Sequence, residues 1–423
     1  MRYLFTNWEG GGTVTPAAEV ARKLSGRGHD VRFMSEDCNR AEVENAGATF
    51  IPWMRAPNRH DRKRDSQLAK DWAAATPQEG LLSVVRDIWC GPAQLYAQDV
   101  LEELAREPAD LVVTNEALFG VMAACESRGQ RFVVMSPNIS LAPLPGIPPL
   151  GPGLAPARYQ EERAMQAEIA KAVEAMFDSG LPALNAARAD LGMGPLDHVL
   201  DQFGSAERLM LATAQAFDFP ADSLPDKVRY VGPQIADPQW AQTWLSPWPD
   251  NDDRPLVVVA FSTTFQNHAA VLQNVIDALA PLPVRVLVTL GGSIAAEELK
   301  AADNCVIVDS APHTVVVPQA ALVVTHGGHG TVMRALMGRV PMLVMPHGRD
   351  QNDNAVRITE RGAGLSLMPD ATNRVIRDAC KRILTEPQFR IAARRLGDLV
   401  AAEAEGSSMI AELEAAAEVL HEV

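Results

Sequence analysis

Residues 323–336 read VVTHGGHGTVMRAL and identify this chain as an α/β protein. A short apolar run typical of a buried strand enters a glycine-rich turn, and a segment with helical patterning follows it. Such a turn aims backbone N–H groups and the positive end of a helix dipole at one point. Thr331 can add a hydroxyl there and His326 an imidazole donor. The pattern predicts an anion site; the alternative is a tight turn with two incidental histidines.

The next segment, residues 338–354, reads GRVPMLVMPHGRDQNDN. It predicts a strand over 341–345 and places Asp350 and Gln351 just beyond its carboxyl end. In open α/β sheets that edge is where ligands bind. A carboxylate beside a carboxamide can accept from and donate to the hydroxyls of a sugar, whereas the alternative is that Asp350 only caps the following helix.

The chain as a whole divides into two similar halves. Strand-like runs alternate with helical ones from residue 2 onward, and the alternation starts again at residue 255. This order predicts two doubly wound α/β domains with parallel sheets. A connection dense in proline and tryptophan separates them. The predicted boundaries are a first domain at 1–218, a linker at 219–252, a second domain at 253–405 and a C-terminal helix within 406–423.

Composition excludes several classes of partner. The 423 residues carry a net charge of −15, which disfavours a nucleic-acid groove or an anionic membrane surface. The five cysteines form no CxxC pair, so a disulfide framework and a structural zinc site are not expected. No run approaches the ~18 apolar residues of a membrane span, and no signal peptide is visible. These features predict a cytoplasmic protein, and a homodimer is one open alternative for its assembly.

Residues 326–351, HGGHGTVMRALMGRVPMLVMPHGRDQ, closely resemble the nucleotide-sugar signature of the family 1 (UGT-like) glycosyltransferases, bacterial natural-product type. Three shorter pieces, at residues 231–233, 261–266 and 291–293, resemble the same family. The resemblance implies the GT-B fold, in which two Rossmann-like domains face each other across a cleft. The second domain would hold the nucleotide-sugar donor and the first the acceptor, and the final helix would cross back to the first domain.

The resemblance also implies roles for individual residues. The donor diphosphate would be bound by His326, Gly328, His329, Gly330, Thr331, Ser262 and Thr263. His347, Asp350 and Gln351 would hold the sugar, and His313 would meet the base. A helix N-terminus and an imidazole can stabilise a leaving diphosphate, so no metal and no cofactor beyond the nucleotide-sugar co-substrate are expected.

The chain departs from the family at its usual catalytic dyad. The family's G-H-V-x-P pattern appears here at residues 12–16, with Thr13 in place of the histidine. The carboxylate that orients that histidine is replaced by Asn115. The adjacent Glu116 is a candidate base, with an ordinary solvated acid as the alternative. Arg334 stands where the family commonly has a ribose-binding glutamate, which leaves room for a thymidine nucleotide.

An enzyme without this dyad can still act on an acceptor that is already nucleophilic, such as a phenolate, an amine or an electron-rich ring. We therefore expect an inverting, metal-independent glycosyltransferase that uses a UDP- or dTDP-sugar and a small aromatic or amine-bearing natural-product acceptor. The alternative function is a catalytically degenerate protein that binds a nucleotide or a partner enzyme. Four tryptophans of the first half, with core packing as their alternative role, are candidate walls for the acceptor: Trp8, Trp53, Trp72 and Trp89.

Overall fold

The computed structural model describes residues 1–68, 70–237, 244–262, 264–292 and 294–418. Its described strands form two sheets, each made of parallel pairs, and helices pack on both faces, as the alternating pattern predicts. The strands are almost continuous apolar runs because both of their faces are covered. In the strand Leu256–Ala260, for example, every residue is buried.

The first sheet has seven strands in the order β3-β2-β1-β4-β5-β6-β7. These strands are β1 Arg2–Thr6, β2 Asp30–Ser35, β3 Thr49–Pro52, β4 Leu111–Asn115, β5 Phe132–Ser136, β6 Arg208–Leu211 and β7 Val228–Tyr230. Its helices are α1 Val14–Gly26, α2 Arg40–Asn45, α3 Pro77–Val84, α4 Ala93–Arg106, α5 Phe119–Arg128, α6 Gln160–Asp178 and α7 Leu181–Asp190.

The second sheet has six strands in the order β10-β9-β8-β11-β12-β13. These strands are β8 Leu256–Ala260, β9 Arg285–Thr289, β10 Cys305–Val308, β11 Leu322–Thr325, β12 Met342–Val344 and β13 Gly364–Ser366. The remaining helices are α8 Ala269–Leu279, α9 His313–Val316, α10 His329–Met337, α11 Gln351–Glu360, α12 Asn373–Thr385, α13 Pro387–Glu405 and α14 Met409–Ala417.

The strand order of each sheet reverses at one point, and ligand sites in such sheets form there. In the first sheet β1 pairs with β4, so the loops that follow Thr6 and Asn115 lie side by side. In the second sheet β8 pairs with β11, which brings together the loops that follow Ala260 and Thr325. Both pairs of loops carry the residues that the sequence singles out.

The predicted linker at 219–252 is too long, because β7 lies within it and is the edge strand of the first sheet. Its three residues are too few to show a strand pattern in the sequence. Of the rest of this segment, residues 238–243 lie outside the described part of the chain.

Buried contacts join the two halves. The Arg357 guanidinium donates to the Asp218 carboxylate at 2.7 Å, and both side chains are almost fully buried. The Asp353 carboxylate accepts the backbone N–H groups of Gly151 and Gly153, which ties a proline- and glycine-rich loop of the first half to α11. Helix α14 packs against α1, β4 and β5 of the first half. Among the described helices, none combines the length and hydropathy that crossing a bilayer requires.

Candidate active site

A cleft of about 1260 Å³ lies between the two sheets, at the carboxyl ends of their strands. The loops after β1 and β4 line it on the side of the first half. The loops after β8, β11 and β12 line it on the opposite side. The cleft therefore contains both strand-order reversals, and most of the residues selected from the sequence meet in it.

The glycine turn after β11 can be formed only by residues without a side chain at positions 327 and 328. Gly327 adopts a φ of 96°, and a Cβ atom there would lie 2.7 Å from the Val344 side chain. A Cβ on Gly328 would lie 2.6 Å from the imidazole of His326. Helix α10 begins directly after Gly328. The Thr331 N–H bonds the Gly328 carbonyl at 3.0 Å, whereas helix geometry gives the N–H groups of His329 and Gly330 no carbonyl of the helix to bond. His326, Gly330 and Thr331 all line the cleft beside this helix terminus.

Three imidazoles surround the ring of Phe261 next to this turn. The ring centroids of His268, His326 and His347 lie 5.6, 6.0 and 5.8 Å from that of Phe261. Burial lowers the pKa of His268 to about 4 and the pKa of His326 well below its usual value. Burial also lowers the pKa of His347. All three are therefore neutral near pH 7 and carry one N–H each. The N–H of His347 donates from Nδ1 to the Met345 carbonyl at 2.9 Å.

Sequence reasoning gave His268 no role, because its approach to the other two rings is set by tertiary packing. Its Nε2 atom and that of His347 are buried and have no hydrogen-bond partner within the described part of the chain. Unsatisfied buried polar atoms are uncommon in folded proteins, and at a cleft they are consistent with a bound ligand.

The loop after β8 forms the opposite side of the donor region. The Ser262 hydroxyl accepts hydrogen bonds from the Thr264 backbone N–H at 3.1 Å and from the Gln266 carboxamide at 3.0 Å. Gln266 in turn accepts from Gln351 at 3.0 Å, which links this loop to the start of α11. Thr263, predicted to bind the diphosphate, lies outside the described residues.

The predicted sugar-binding residues stand together at the N-terminus of α11. Asp350 occupies the N-cap position, but its side chain makes no capping hydrogen bond to the helix. Its carboxylate instead accepts from the Asn354 carboxamide at 2.8 Å, and burial raises its pKa. The Gln351 carboxamide oxygen accepts the His347 backbone N–H at 2.7 Å. A capping role alone therefore does not explain Asp350.

His329 differs from expectation. Its imidazole Nε2 is hydrogen-bonded to the Thr213 hydroxyl of the first half at 2.7 Å, and its ring meets that of Phe217 edge-on. Burial lowers the pKa of His329 to about 3. The side chain is thus engaged between the two halves, and the backbone amide is what His329 can offer to a phosphate.

At the far end of the cleft, His313 begins α9 and hydrogen-bonds the Thr289 hydroxyl at 3.1 Å. Arg334 donates to the Gly330 carbonyl at 3.0 Å and to the Ala236 carbonyl. Its buried Nε–H has no hydrogen-bond acceptor in the described part of the chain. The same Nε lies 3.7 Å from the Asp237 carboxylate, so an arginine–aspartate pair occupies the region where the family has a glutamate.

The two positions of the missing dyad have structural partners instead. The indole N–H of Trp8 donates to the Asn115 carboxamide oxygen at 3.1 Å, and the Ala117 N–H donates to the same oxygen at 3.0 Å. The Thr13 hydroxyl donates to the Trp8 carbonyl at 2.6 Å. Neither Thr13 nor Asn115 is a base near neutral pH, so neither replaces the usual histidine.

Glu116 lies beside them, buried at the wall of the cleft. Burial raises the pKa of Glu116 to about 8, opposed by a hydrogen bond from Ser136 and reinforced by the charge of Asp350 across the cleft. Its Oε2 atom has no hydrogen-bond partner among the described residues. A carboxyl group in this setting can exchange a proton with a bound molecule near neutral pH.

The part of the cleft in the first half carries several aromatic side chains. Trp8, Trp72 and Trp89 line it, and Trp89 stacks on Phe177 of α6 with centroids 5.8 Å apart. Trp53 does not line it. The Trp53 ring is 1% exposed, and its N–H donates to the Asn7 carbonyl. The prediction that Trp53 contacts an acceptor is therefore corrected: Trp53 belongs to the core.

One group of potential metal ligands occurs among the described residues, made of Glu174, Asp178 and His198. It is not part of the cleft lining. Asp178 already accepts hydrogen bonds from the His198 ring at 2.7 Å and from the Val199 N–H at 2.9 Å.

Comparison with known proteins agrees with this geometry. Residues 273–416 match the family of erythromycin biosynthesis protein CIII-like C-terminal domains. The chain is 29% identical to 4'-demethylrebeccamycin synthase of Lentzea aerocolonigenes, over 95% of this chain and 96% of that protein. It is 26% identical to demethyllactenocin mycarosyltransferase of Streptomyces fradiae, over 91% of this chain and 80% of that protein.

Solved structures share the fold. The glycotransferase of kitacinnamycin superposes with a TM-score of 0.76 at 17% identity, over 98% of each chain. The glycosyltransferase VinC, solved in complex with dTDP, superposes with a TM-score of 0.67 at 21% identity, over 99% of each chain. Residues 273–416 therefore form an EryCIII-like C-terminal domain, and the chain is a GT-B glycosyltransferase related to bacterial natural-product glycosyltransferases.

Proposed function

We propose that this glycosyltransferase moves a sugar, with inversion and without a metal, from a UDP- or dTDP-sugar to a small aromatic or amine-bearing natural product. One observation carries the proposal: a single cleft holds the glycine turn 326–331 on one side and Glu116 on the other. Glu116 and Asp350 both line this cleft, and the charge of Asp350 contributes to the raised pKa of Glu116.

The second half supplies the donor site. The first-turn amides of α10, the His326 imidazole and the Ser262 hydroxyl would bind the diphosphate. Preorganised donors of this kind stabilise charge that develops on a leaving group, and they are most effective in a water-poor cleft. Because the donors are neutral imidazoles and backbone amides, they can perform this task without a divalent cation.

Arg334 favours a deoxyribose nucleotide. A ribose presents two hydroxyls that a carboxylate can accept, and this chain has a guanidinium at that position. A guanidinium has donors only, so it cannot accept those hydrogen bonds, and both oxygens of the neighbouring Asp237 carboxylate already accept from the Thr314 N–H. The likeness to VinC, a protein solved with dTDP, supports dTDP over UDP in the same direction.

Glu116 would act as the base. Its carboxylate takes the proton of the attacking O–H or N–H group while the bond from the sugar anomeric carbon to the diphosphate oxygen breaks. Base and leaving group stand on opposite halves of the cleft, so the nucleophile approaches the anomeric carbon from the face opposite the diphosphate. A single displacement of this kind inverts the configuration.

The aromatic lining supports a flat acceptor. Trp8, Trp72 and Trp89 present broad apolar surfaces, which bind planar ring systems through burial and stacking. Such acceptors commonly carry phenol, indole or amine nucleophiles. These need less help from a base than an aliphatic alcohol does, which suits a site whose proposed base, Glu116, has a pKa of about 8.

The test is a panel assay. The purified protein is incubated with UDP- and dTDP-sugars and with phenols, indoles, amines and aliphatic alcohols, and release of nucleoside diphosphate is measured with and without EDTA. The proposal expects release that requires an acceptor, is fastest with aromatic nucleophiles and persists in EDTA. If the protein binds the nucleotide but releases no nucleoside diphosphate with any acceptor, the degenerate alternative is supported. Loss of activity in EDTA would contradict the metal-free scheme.

A further inference from the structure

Arg349 lies in the loop between β12 and α11, and its side chain lines the cleft. Its backbone adopts a φ of 54°, which residues other than glycine adopt rarely. Conformations of this kind persist where the surrounding structure enforces them, and they cluster at functional sites. The family signature drew attention to the residues on either side of Arg349 and not to Arg349 itself.

Contacts from both halves fix the direction of this guanidinium. Its Nε and Nη2 groups donate to the two carboxylate oxygens of Asp71, at 2.8 and 3.2 Å. Its Nη1 group donates to the Thr264 hydroxyl at 3.1 Å, and that hydroxyl lies 3.0 Å from Ser262 Oγ. The planar group therefore sits beside the loop that faces the glycine turn.

The Asp71 contact is part of a wider bridge from the first half. The neighbouring Trp72 ring meets Phe265 of the second half edge-on, with centroids 5.0 Å apart. The Arg64 guanidinium stacks over both rings, at 4.5 Å from Trp72 and 4.0 Å from Phe265. Arg64, Asp71 and Trp72 of the first half thus contact the loops of the second half beside Arg349.

The Arg349 guanidinium has N–H donors that bond no described residue. An arginine offers five N–H donors, and the described partners of Arg349 take three of them. The charge of Arg349 also acts on His326 of the glycine turn. Burial is the main cause of the low pKa of His326, and the positive charge of Arg349 lowers this pKa further.

The other described cations of the cleft bond groups outside the loop of Ser262 and Thr264. The described lining contains three further arginines and no lysine. Arg62 donates to the Glu42 carboxylate of the first half at 2.8 Å, and Arg59 donates to a carbonyl of its own loop. Arg334 donates to the carbonyls of Gly330, within the glycine turn, and of Ala236, and its Nε lies 3.7 Å from the Asp237 carboxylate. Arg349 is the described cation that stands next to the loop of Ser262 and Thr264.

We propose that Arg349 binds the donor diphosphate directly and neutralises the charge that the leaving group gains, with Asp71 of the acceptor half orienting it. Guanidinium groups match phosphate oxygens in geometry and bind them through charge-assisted hydrogen bonds. The acceptor half thereby takes part in building the donor site. This inference rests on the proposed function, because it assumes that a nucleoside diphosphate occupies the cleft.

The experiment compares R349Q, R349K and the wild type for affinity to dTDP or UDP, whichever binds more tightly, and to the matching nucleoside. Calorimetry serves for the diphosphate and ligand-observed NMR for the nucleoside. R349Q should weaken diphosphate binding about 10- to 100-fold, since a hydrogen bond to a charged group is lost. Nucleoside affinity should stay unchanged, and R349K should recover part of the loss.

The matched control is R158Q. Arg158 of the first half also pairs with the second half, through Glu360 at the end of α11, the helix that follows Arg349. Arg158 is exposed and does not line the cleft. R158Q should bind the diphosphate like the wild type. Equal affinity of R349Q and wild type for the diphosphate, or equal weakening of diphosphate and nucleoside, would overturn the inference. Failure of the wild type itself to bind any nucleoside diphosphate would instead overturn the proposed donor.

Discussion

The indole N–H of Trp8 donates to the carboxamide oxygen of Asn115, 3.1 Å away. In family 1 glycosyltransferases a carboxylate at the position of Asn115 orients the catalytic histidine. Here the same position anchors a tryptophan, and Thr13 supports that tryptophan by donating to its carbonyl. The dyad positions thus support a tryptophan that lines the cleft, and under the proposed function the base comes from another residue.

Trp8→Phe tests this anchoring role. The substitution keeps an aromatic ring and removes the N–H, so the ring loses its fixed orientation against Asn115. A neutral hydrogen bond contributes about 0.5–1.5 kcal/mol, which predicts an acceptor KM raised roughly 2- to 10-fold. Steady-state kinetics with each substrate varied in turn would check this. Donor KM should not change, and a rise of both KM values together would contradict the assignment.

Glu116→Gln tests the base. The amide has the size and burial of the carboxyl group but cannot accept a proton, so kcat should fall about 10²- to 10⁴-fold. Diphosphate affinity, measured by calorimetry, should stay within twofold of wild type. The loss should be smallest for acceptors that ionise by themselves. A variant with wild-type kcat on a non-ionising acceptor would rule out Glu116 as the base.

The pH profile gives an independent test. Burial raises the pKa of Glu116 to about 8, and only the deprotonated form is a base. With an acceptor that does not titrate in this range, kcat/KM should therefore increase about tenfold per pH unit below pH 8 and level off above it. The rise should disappear in Glu116→Gln.

Glu36 provides the matched comparison for that profile. Burial raises its pKa to about 8 as well, but both of its oxygens accept the Glu9 backbone N–H, and it does not line the cleft. Glu36→Gln should keep the rise between pH 6 and 8. If that variant flattens the profile and Glu116→Gln does not, the titrating group has been misassigned.

Trp53 and Trp89 should respond to truncation in opposite ways. Trp53→Ala removes a core ring packed against Tyr96 and should lower the free energy of unfolding by about 3–5 kcal/mol. Trp89→Ala acts at the cleft and should mainly raise the acceptor KM. Denaturant unfolding and kinetics on both variants measure this, and a stable Trp53→Ala protein with impaired acceptor binding would contradict the correction made for Trp53.

Local sequence predicted the parts of the site that one segment forms alone. The turn at 326–331 and the pair Asp350 and Gln351 needed only a strand, a glycine turn and a helix start, each visible in the sequence. Residues whose role depends on a distant partner were missed or misplaced. His329 bonds Thr213, and Arg349 bonds Asp71, over separations of more than one hundred residues.

The four tryptophans show the same limit. Composition indicates that they are aromatic and belong to the first half, but it carries no information about which side of the sheet each ring faces. Trp8, Trp72 and Trp89 face the cleft, whereas Trp53 packs beneath the loop after β1 and bonds the Asn7 carbonyl. Strand β7 was missed because a three-residue edge strand has too short a pattern to recognise.

A crystal structure of the protein with dTDP and a bound aromatic acceptor tests the whole scheme in one measurement. The account predicts phosphate oxygens about 2.7–3.1 Å from the His326 imidazole and the first amides of α10. It also predicts the acceptor's nucleophilic atom about 2.6–3.2 Å from a Glu116 carboxylate oxygen. A diphosphate bound away from the glycine turn, or an acceptor whose nucleophile faces a residue other than Glu116, would contradict it.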